Sequence, residues 1–280
     1  MRPPDRRGEV GEVAKNSTTF ALDQVVSLVR EVARSEVTPR YLKVAHSRKA
    51  DGSLFTVADA ATQKALESAL RDIIACPVLG EEMTEAQQHA AWAAGDNGLW
   101  CIDPIDGTSN FVAGIPYFAI SVAYLEKGKR KLGVVYDPVA GECFYAAHGK
   151  GAFLDGVPLP IRTPAGDLRR AMAGIEPKRL PKPLIARLVA EPPYASLRNL
   201  GASALDWCYV AAGRFDVYVH GNQKLWDYAA GALILEEAGG MLSCLEGAFD
   251  DGPVWERSVI ASANPALFEL WRGWLKAVKA

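Results

Sequence analysis

Asp103 and Asp106 lie three positions apart in the segment of this chain with the clearest chemical meaning. Pro104 stiffens the backbone between them, and Gly107 leads into two hydroxyl residues at a point where a helix can begin. The apolar run directly upstream, residues 99–102, predicts a buried strand. Carboxylates at the end of a buried strand suit magnesium, which proteins hold through a few carboxylates and the phosphates of a substrate. A surface turn is the alternative interpretation, because Asp, Pro and Gly are common in turns.

Three other acidic residues lie beside predicted elements. Glu81 follows a short apolar strand and a glycine, and Asp227 opens an apolar helical run. Each acid also has a purely structural interpretation: Glu81 as part of an acidic first turn, Asp59 as a member of a capping box that starts at Thr56, and Asp227 as a helix cap. The shared setting of Glu81, Asp103 and Asp227 at the ends of predicted elements favours a site instead, because ligand sites in α/β sheets usually form where the strands end.

Composition limits the class of protein. The 280 residues are 49% hydrophobic and 23% charged, with a formal net charge of −2, which is typical of a globular enzyme and gives no basic field for nucleic acid. The apolar stretches are too short for a transmembrane helix, and the five scattered cysteines predict buried free thiols in a reducing cytosol. We therefore expect a cytoplasmic protein without membrane or nucleic-acid partners, and a flexible tail at residues 1–16.

The elements that must position these acids fall into two patterns. The first half predicts helices over Phe20–Val37 and Thr56–Ile74, separated by a polar, flexible segment at 42–55, and then a meander of strands. Past Pro158, short strands alternate with helices, as in an α/β layer architecture. We predict two subdomains, residues 17–165 with most metal ligands and residues 166–280 with Asp227. The predicted strands are 118–125, 131–136, 143–147, 171–175, 216–219, 240–244 and 258–263, and the later helices are 184–189, 202–212, 226–238 and 265–278.

Four motifs occur in the order found in the inositol monophosphatase family. They are the segment 49–59, the triplet 80–82, the segment Asp103–Phe111 and the run Leu225–Gly231, which Glu-Glu-Ala-Gly-Gly follows at 236–240. From about Phe20 to the C-terminus, the chain resembles this family of magnesium-dependent, lithium-sensitive phosphatases. The resemblance implies an α/β (α+β) fold in α/β/α/β/α layers, with a larger N-terminal sheet and a smaller C-terminal sheet, and a homodimer.

The resemblance also implies a site for two to three Mg²⁺ ions. Five residues would bind two of the ions, and Asp59 would retain a third ion or orient its waters. The first ion would bind Glu81, Asp103 and the main-chain carbonyl of Ile105, and the second would bind Asp103, Asp106 and Asp227.

A phosphate site beside these ions follows from the same resemblance. Thr108, paired with Glu81 through the attacking water, would position the nucleophile, so that Glu81, Thr108 and Asp59 are the expected catalytic residues. The backbone N–H groups of Gly107, Thr108 and Ser109 would bind the phosphate at a helix N-terminus, where anions are favoured. Two metal ions can together activate a water and stabilise the leaving oxygen. We therefore expect direct attack by metal-activated water and no covalent phosphoenzyme.

The alcohol part of the substrate is expected to contact Asp106, Ser203, His220 and Asp227. In inositol-specific members a glutamate stands seven positions before the Trp-Asp acid, and here that position is His220. A histidine that closes a strand without binding a ligand is the alternative. We expect a substrate such as myo-inositol monophosphate or a related polyol or sugar phosphate. The alternatives are histidinol phosphate, fructose 1,6-bisphosphate, a 3′-phosphoadenosine nucleotide, or a regulatory binding role on the same fold, for instance in transcription.

Overall fold

The computed structural model describes residues 21–43, 46–48 and 54–277. The tail predicted at residues 1–16 and the predicted helix start at Phe20 lie outside these ranges. Within them, the cysteines are free thiols, as expected, and all but Cys76 are buried. No helix in the described ranges is long and apolar enough to cross a membrane.

The described chain starts in helix α1, residues 21–32, which continues as a π-helical turn at Ala33–Val37. Strands β1 (His46–Arg48) and β2 (Leu54–Thr56) pair antiparallel, and helix α2 (Val57–Ile73) follows. The prediction of a flexible segment at 42–55 is therefore wrong for residues 46–48 and 54–55, which form strands. Residues 44–45 and 49–53 lie outside the described ranges. Strands of three residues are too short to show the alternating pattern that would identify them.

The larger sheet has seven strands and carries the acidic segment. Its strands are β3 (Val78–Gly80), β4 (Leu99–Asp106), β5 (Ala119–Glu126), β6 (Lys129–Asp137), β7 (Glu142–Ala147), β8 (Ala152–Leu154) and β9 (Val157–Pro158). They are ordered as in the sequence, with β3 and β4 parallel and the later pairs antiparallel. Helices α3 (Glu85–Ala94) and α4 (Thr108–Ala113) flank β4 in the sequence. Helix α3 was not predicted.

The smaller sheet has five strands in the order β11-β10-β12-β14-β13. They are β10 (Met172–Glu176), β11 (Ser196–Arg198), β12 (Val217–Gln223), β13 (Met241–Cys244) and β14 (Arg257–Ser262), and the helices of this half are α5 (Lys182–Ala190), α6 (Ser203–Ala211), α7 (Leu225–Glu237) and α8 (Pro265–Lys276). Strand β10 is parallel to β11 and β12, whereas β14 is antiparallel to its neighbours. The predicted alternation of strands and helices is confirmed, apart from the unpredicted β11.

The layers stack as α/β/α/β/α, as expected. Helices α1 and α2 pack on one face of the larger sheet, α6 and α7 lie between the two sheets, and α5 and α8 cover the outer face of the smaller sheet. Side chains along β4 therefore enter two different cores, with Trp100 and Ile102 on one face and Leu99 and Cys101 on the other. The boundary between subdomains at residue 165 stays a prediction.

Candidate metal and phosphate site

Three carboxylates meet between the two sheets. One oxygen from each of Asp103, Asp106 and Asp227 lies within 4.8 Å of the other two. Residues three apart on a regular strand point to opposite faces, but the register of β4 against β5 shifts between Asp103 and Asp106. This irregularity breaks the alternation, and it accounts for two acids of one strand reaching the same place.

Helix α7 delivers the third carboxylate. Asp227 lies in its first turn, and its Oδ2 accepts a hydrogen bond of 2.9 Å from the backbone N–H of Lys224. The capping interpretation of Asp227 is therefore confirmed, and its site role stays a prediction. A glycine in the larger sheet lets α7 approach, because a Cβ at Gly133 would lie 2.7 Å from the carbonyl oxygen of Ala230.

The cluster is strongly anionic when its acids are ionised. Burial is the main cause that raises the pKa of Asp103 well above its usual value, and the charges of Glu81 and Asp106 raise it further. Burial likewise raises the pKa of Asp106 to about 7 and that of Asp227 to about 8. Each ionised carboxylate disfavours the others, so the group favours bound protons or bound cations.

The donor set fits magnesium. Carboxylate oxygens are hard ligands, and all three members of the cluster offer only such oxygens. Glu81 lies beside the cluster, since its charge acts on all three acids. Its backbone continues the pairing of β3, because Glu81 N–H donates to the carbonyl of Ile102 at 3.2 Å.

Asp59 and Thr108 connect helix α2 to the cluster. Asp59 is buried, and its Oδ2 accepts hydrogen bonds from the backbone N–H and the hydroxyl of Thr56 at 2.8 and 2.6 Å. The predicted capping box is therefore confirmed. The hydroxyl of Thr108 lies 3.3 Å from Asp59 Oδ1 and 3.0 Å from the carbonyl oxygen of Ile105, both within hydrogen-bond distance. One carboxylate thus caps a helix and contacts the predicted nucleophile-positioning residue.

The predicted phosphate-binding residues open helix α4. Gly107 has φ of 90°, a left-handed conformation that favours glycine. A Cβ there would also lie 3.0 Å from that of Ala202 and 3.2 Å from the carbonyl oxygen of Tyr117. The next two residues, Thr108 and Ser109, supply the first N–H groups of the helix, which have no acceptor in the preceding turn.

A cavity of about 180 Å³ adjoins the cluster and contains the predicted substrate residues. Asp106 and Asp227 line it together with Ser203 and His220. Ser203 begins α6, and its hydroxyl lies 3.4 Å from Asp106 Oδ1, while Ala204 N–H donates to Asp106 Oδ2 at 2.7 Å. Burial lowers the pKa of His220 to about 4, so its ring is neutral near pH 7.

The cavity also has lining residues that the sequence did not indicate. Asp206 is buried, accepts a 2.9 Å hydrogen bond from the hydroxyl of Tyr117, and has its pKa raised to about 8 by burial. Lys178 and Arg179 line it from the loop after β10. No local pattern in the sequence revealed that this loop faces the cavity.

Comparison with known proteins gives consistent matches. The profile of the inositol monophosphatase family matches residues 14–277. Inositol monophosphatase 1 of Sus scrofa is 32% identical over 259 residues, which cover 89% of this chain and 91% of that protein. Nus factor SuhB of Pasteurella multocida is 37% identical over 190 residues, 66% of this chain and 70% of that protein. The solved structure of a Thermotoga maritima IMPase has a TM-score of 0.78 at 30% identity, covering 92% of this chain and 96% of that one.

Proposed function

The chain belongs to the inositol monophosphatase family, and from this premise we propose that it is a magnesium-dependent phosphatase for a small phosphate monoester. The proposed substrate is myo-inositol monophosphate or a related polyol or sugar phosphate. The observation that carries the proposal is the cluster of Asp103, Asp106 and Asp227, two of which line a cavity of about 180 Å³. An oxygen-only cluster beside a small polar cavity suits a phosphate ester and its cations.

The proposed ligands would hold two to three Mg²⁺ ions. When bound, these ions make water a nucleophile near neutral pH and offset the charge that develops on the transferred phosphoryl group and the leaving oxygen. Asp59 is proposed to support a third, weaker ion. The proposed ligands of the other two ions are Glu81, Asp103, the Ile105 carbonyl, Asp106 and Asp227.

The chain's own groups would orient the reactants. The hydroxyl of Thr108 can donate a hydrogen bond to Asp59 or to the Ile105 carbonyl, which leaves its oxygen free to accept a hydrogen bond from the attacking water. Gly107, Thr108 and Ser109 are proposed to bind the phosphate through their N–H groups. We propose a single displacement without a covalent phosphoenzyme, with Thr108 and Glu81 holding the water.

The alcohol is proposed to occupy the far part of the cavity. His220 Nδ1 lies 3.0 Å from the carbonyl oxygen of Gly221, so Nδ1 carries the proton and Nε2 of the neutral ring is an acceptor. An acceptor at this position suits a substrate hydroxyl, which Ser203 would also contact. A homodimer, a cytoplasmic location and the absence of nucleic-acid partners stay predictions.

A second candidate function is a regulatory binding role. It is favoured by similarity to proteins named Nus factor SuhB, such as that of Pasteurella multocida. The two functions are compatible, because an intact acidic cluster serves catalysis and the remaining surface can bind a partner. Asp227→Asn separates them: loss of function in cells supports a catalytic role, whereas behaviour like that of the unaltered protein supports the binding role.

The proposed activity is tested by magnesium-dependent phosphate release. We expect turnover of at least one ester in a panel of myo-inositol 1-phosphate, histidinol phosphate, fructose 1,6-bisphosphate and 3′-phosphoadenosine 5′-phosphate. We also expect inhibition by lithium and incorporation of one solvent oxygen into phosphate in a single turnover. Hydrolysis of none of these esters with magnesium present, or trapping of a phosphorylated side chain, would contradict the proposal.

A further inference from the structure

The cavity beside the acidic cluster has two cations on the wall that the alcohol would face. Lys178 and Arg179 lie in the turn between β10 and α5, and both line the cavity. His220 lies next to this turn, because it pairs with Glu176, the last residue of β10, in the parallel register of β10 and β12. The turn therefore adjoins the part of the cavity where the alcohol is proposed to bind.

The turn is held in a defined position. Leu180 N–H donates to the carbonyl of Pro177 at 3.1 Å, which closes it, and Lys178 N–H donates to Glu176 Oε1 at 2.8 Å. Its backbone packs directly on β12, because a Cβ at Gly221 would lie 2.4 Å from the carbonyl carbon and oxygen of Arg179. The two cations therefore start from a fixed backbone, although their side chains are exposed.

The charges of the two side chains are available to a ligand. Within the described part of the chain, neither forms an ion pair. The guanidinium of Arg179 donates to the carbonyl of Asn222 at 3.0 Å, a contact that positions the group, and its charge acts on Asp227 of the acidic cluster without an ion pair. The charge of Arg179 also acts on the carboxylate of Glu256, which forms an ion pair with Lys224.

The acids near the turn already accept hydrogen bonds from the protein. The Glu176 carboxylate accepts the Lys178 N–H, and Asp206 accepts the hydroxyl of Tyr117. The ring of His220 is neutral near pH 7 because of its burial. The alcohol side of the cavity therefore presents two cations beside the Glu176 carboxylate, whereas the opposite side presents Asp106 and Asp227, whose charges the bound metal ions would offset.

On this basis we propose that Lys178 and Arg179 select substrates whose alcohol part carries a second anionic group, a carboxylate or a phosphate. Guanidinium groups match both anions geometrically, and a fixed pair of cations attracts either one. This inference rests on the proposed phosphatase function and narrows its substrate class. A neutral polyol such as inositol leaves both cations without an anionic ligand.

Matched substrate pairs test the proposal and separate the two anion types. In the first pair, 6-phosphogluconate differs from glucitol 6-phosphate only by a carboxylate in place of a hydroxymethyl group. In the second, fructose 1,6-bisphosphate differs from fructose 1-phosphate by a phosphate. We expect the unaltered protein to have a higher kcat/KM for the charged member of at least one pair, and the pair that responds identifies the anion.

Substitution of both cations is the decisive step. In the double variant Lys178→Gln/Arg179→Gln, the ratio of kcat/KM for the charged ester to that for its neutral partner should fall about tenfold, the effect of losing a charged contact. Lys182→Gln, which removes a nearby exposed cation outside the cavity lining, should keep the ratio. A preference for neutral esters overturns the inference. An unchanged ratio in the double variant also overturns it, because these residues would then bind the scissile phosphate or no ligand. Absence of magnesium-dependent phosphate release from all four esters overturns the inference if myo-inositol 1-phosphate is hydrolysed. If no ester of either panel is hydrolysed, the proposed function is overturned, and the selectivity with it.

Discussion

Asp103 lies where fold and function make opposite demands on one side chain. It is buried on strand β4 of the larger sheet, and the charges of four neighbouring acids disfavour its own. Its Oδ1 accepts one hydrogen bond, from Ile105 N–H at 3.1 Å, which cannot offset full burial of a carboxylate. Bound cations would offset the charge, so the carboxylate is expected to serve binding rather than stability.

We therefore predict that Asp103→Asn abolishes activity and preserves the fold. An amide of the same shape removes a repelled charge, so the metal-free protein should keep or gain stability, while kcat/KM should fall at least about 100-fold, more than for residues that only support ligands. Phosphate release and thermal unfolding in EDTA measure the two effects. Asp72→Asn, at an exposed position of α2, is the matched control. Activity of Asp103→Asn close to that of the control would refute the site.

At the residue level, the local sequence was informative where acids follow recognisable elements. Asp103, Asp106 and Asp227 were found because a strand end and a helix start are visible in a short window, and the structure brings them together. Asp206 and Arg179 were not found. Their role depends on a cavity between β10, β12 and α6, and such long-range neighbours leave no local pattern.

At the level of elements, the first turn of α2 links a helix cap to the site. The Thr56 hydroxyl donates to Asp59 Oδ2 and accepts from Ala58 N–H at 3.0 Å, and the other oxygen of Asp59 lies 3.3 Å from the Thr108 hydroxyl. The start of one helix therefore orients a carboxylate that contacts the start of another.

Thr56→Ala should accordingly affect both stability and rate. Loss of the cap should cost about 1 kcal/mol of unfolding free energy, and a less constrained Asp59 should lower kcat/KM several-fold to about tenfold, as for residues that support metal ligands. The control is Asn264→Ala at the start of α8, where Asn264 Oδ1 accepts from Leu267 N–H at 2.8 Å. It should lose similar stability and keep the rate. Equal rates in the two variants would contradict the coupling.

The elements that escaped prediction are those with weak patterns. Helix α3 is rich in alanine and glutamine and buries only Gln88 among its residues, so it has no clear apolar face. Strand β11 spans three residues at the edge of its sheet, none of them fully buried. The longer predicted strands and helices are confirmed because each has at least one continuous buried face.

At the level of the whole molecule, the site lies where elements from different layers converge. Asp103 and Asp106 belong to the larger sheet, Asp227 to the helical layer between the sheets, and His220 to the smaller sheet. The layer order was predicted from the family resemblance, whereas the strand order of the smaller sheet was not, because it depends on pairing between distant segments. Ligand binding at this point must therefore stabilise several layers together.

This arrangement predicts that the stability of the metal-free protein falls as pH rises and that bound magnesium counteracts the fall. The pKa of Asp106 is about 7 and that of Asp227 about 8, whereas an unfolded aspartate has a pKa of about 3.9. Between pH 6.5 and 8 the native metal-free protein therefore holds more protons than the unfolded chain, and its stability falls as pH rises. His220, with its pKa near 4, is neutral in the native state over this range, whereas an unfolded histidine is half protonated at pH 6.5, which opposes the fall in stability by only about 0.4 kcal/mol.

Thermal unfolding in EDTA and in saturating magnesium measures this linkage. In EDTA, the free energy of unfolding should drop by on the order of 2 kcal/mol from pH 6.5 to 8.0, and the melting temperature by about 5 °C. Saturating magnesium should raise the melting temperature more at pH 8.0, because protons and cations compete for the same oxygens. Asp206, whose pKa is near 8, also makes the free energy of unfolding fall with pH, and magnesium does not remove this contribution. Asp227→Asn is the control, because it lacks a proposed magnesium ligand and should lose most of the magnesium effect. A melting temperature in EDTA that rises with pH, or an equal magnesium effect in Asp227→Asn, would contradict a cation site shared by the layers.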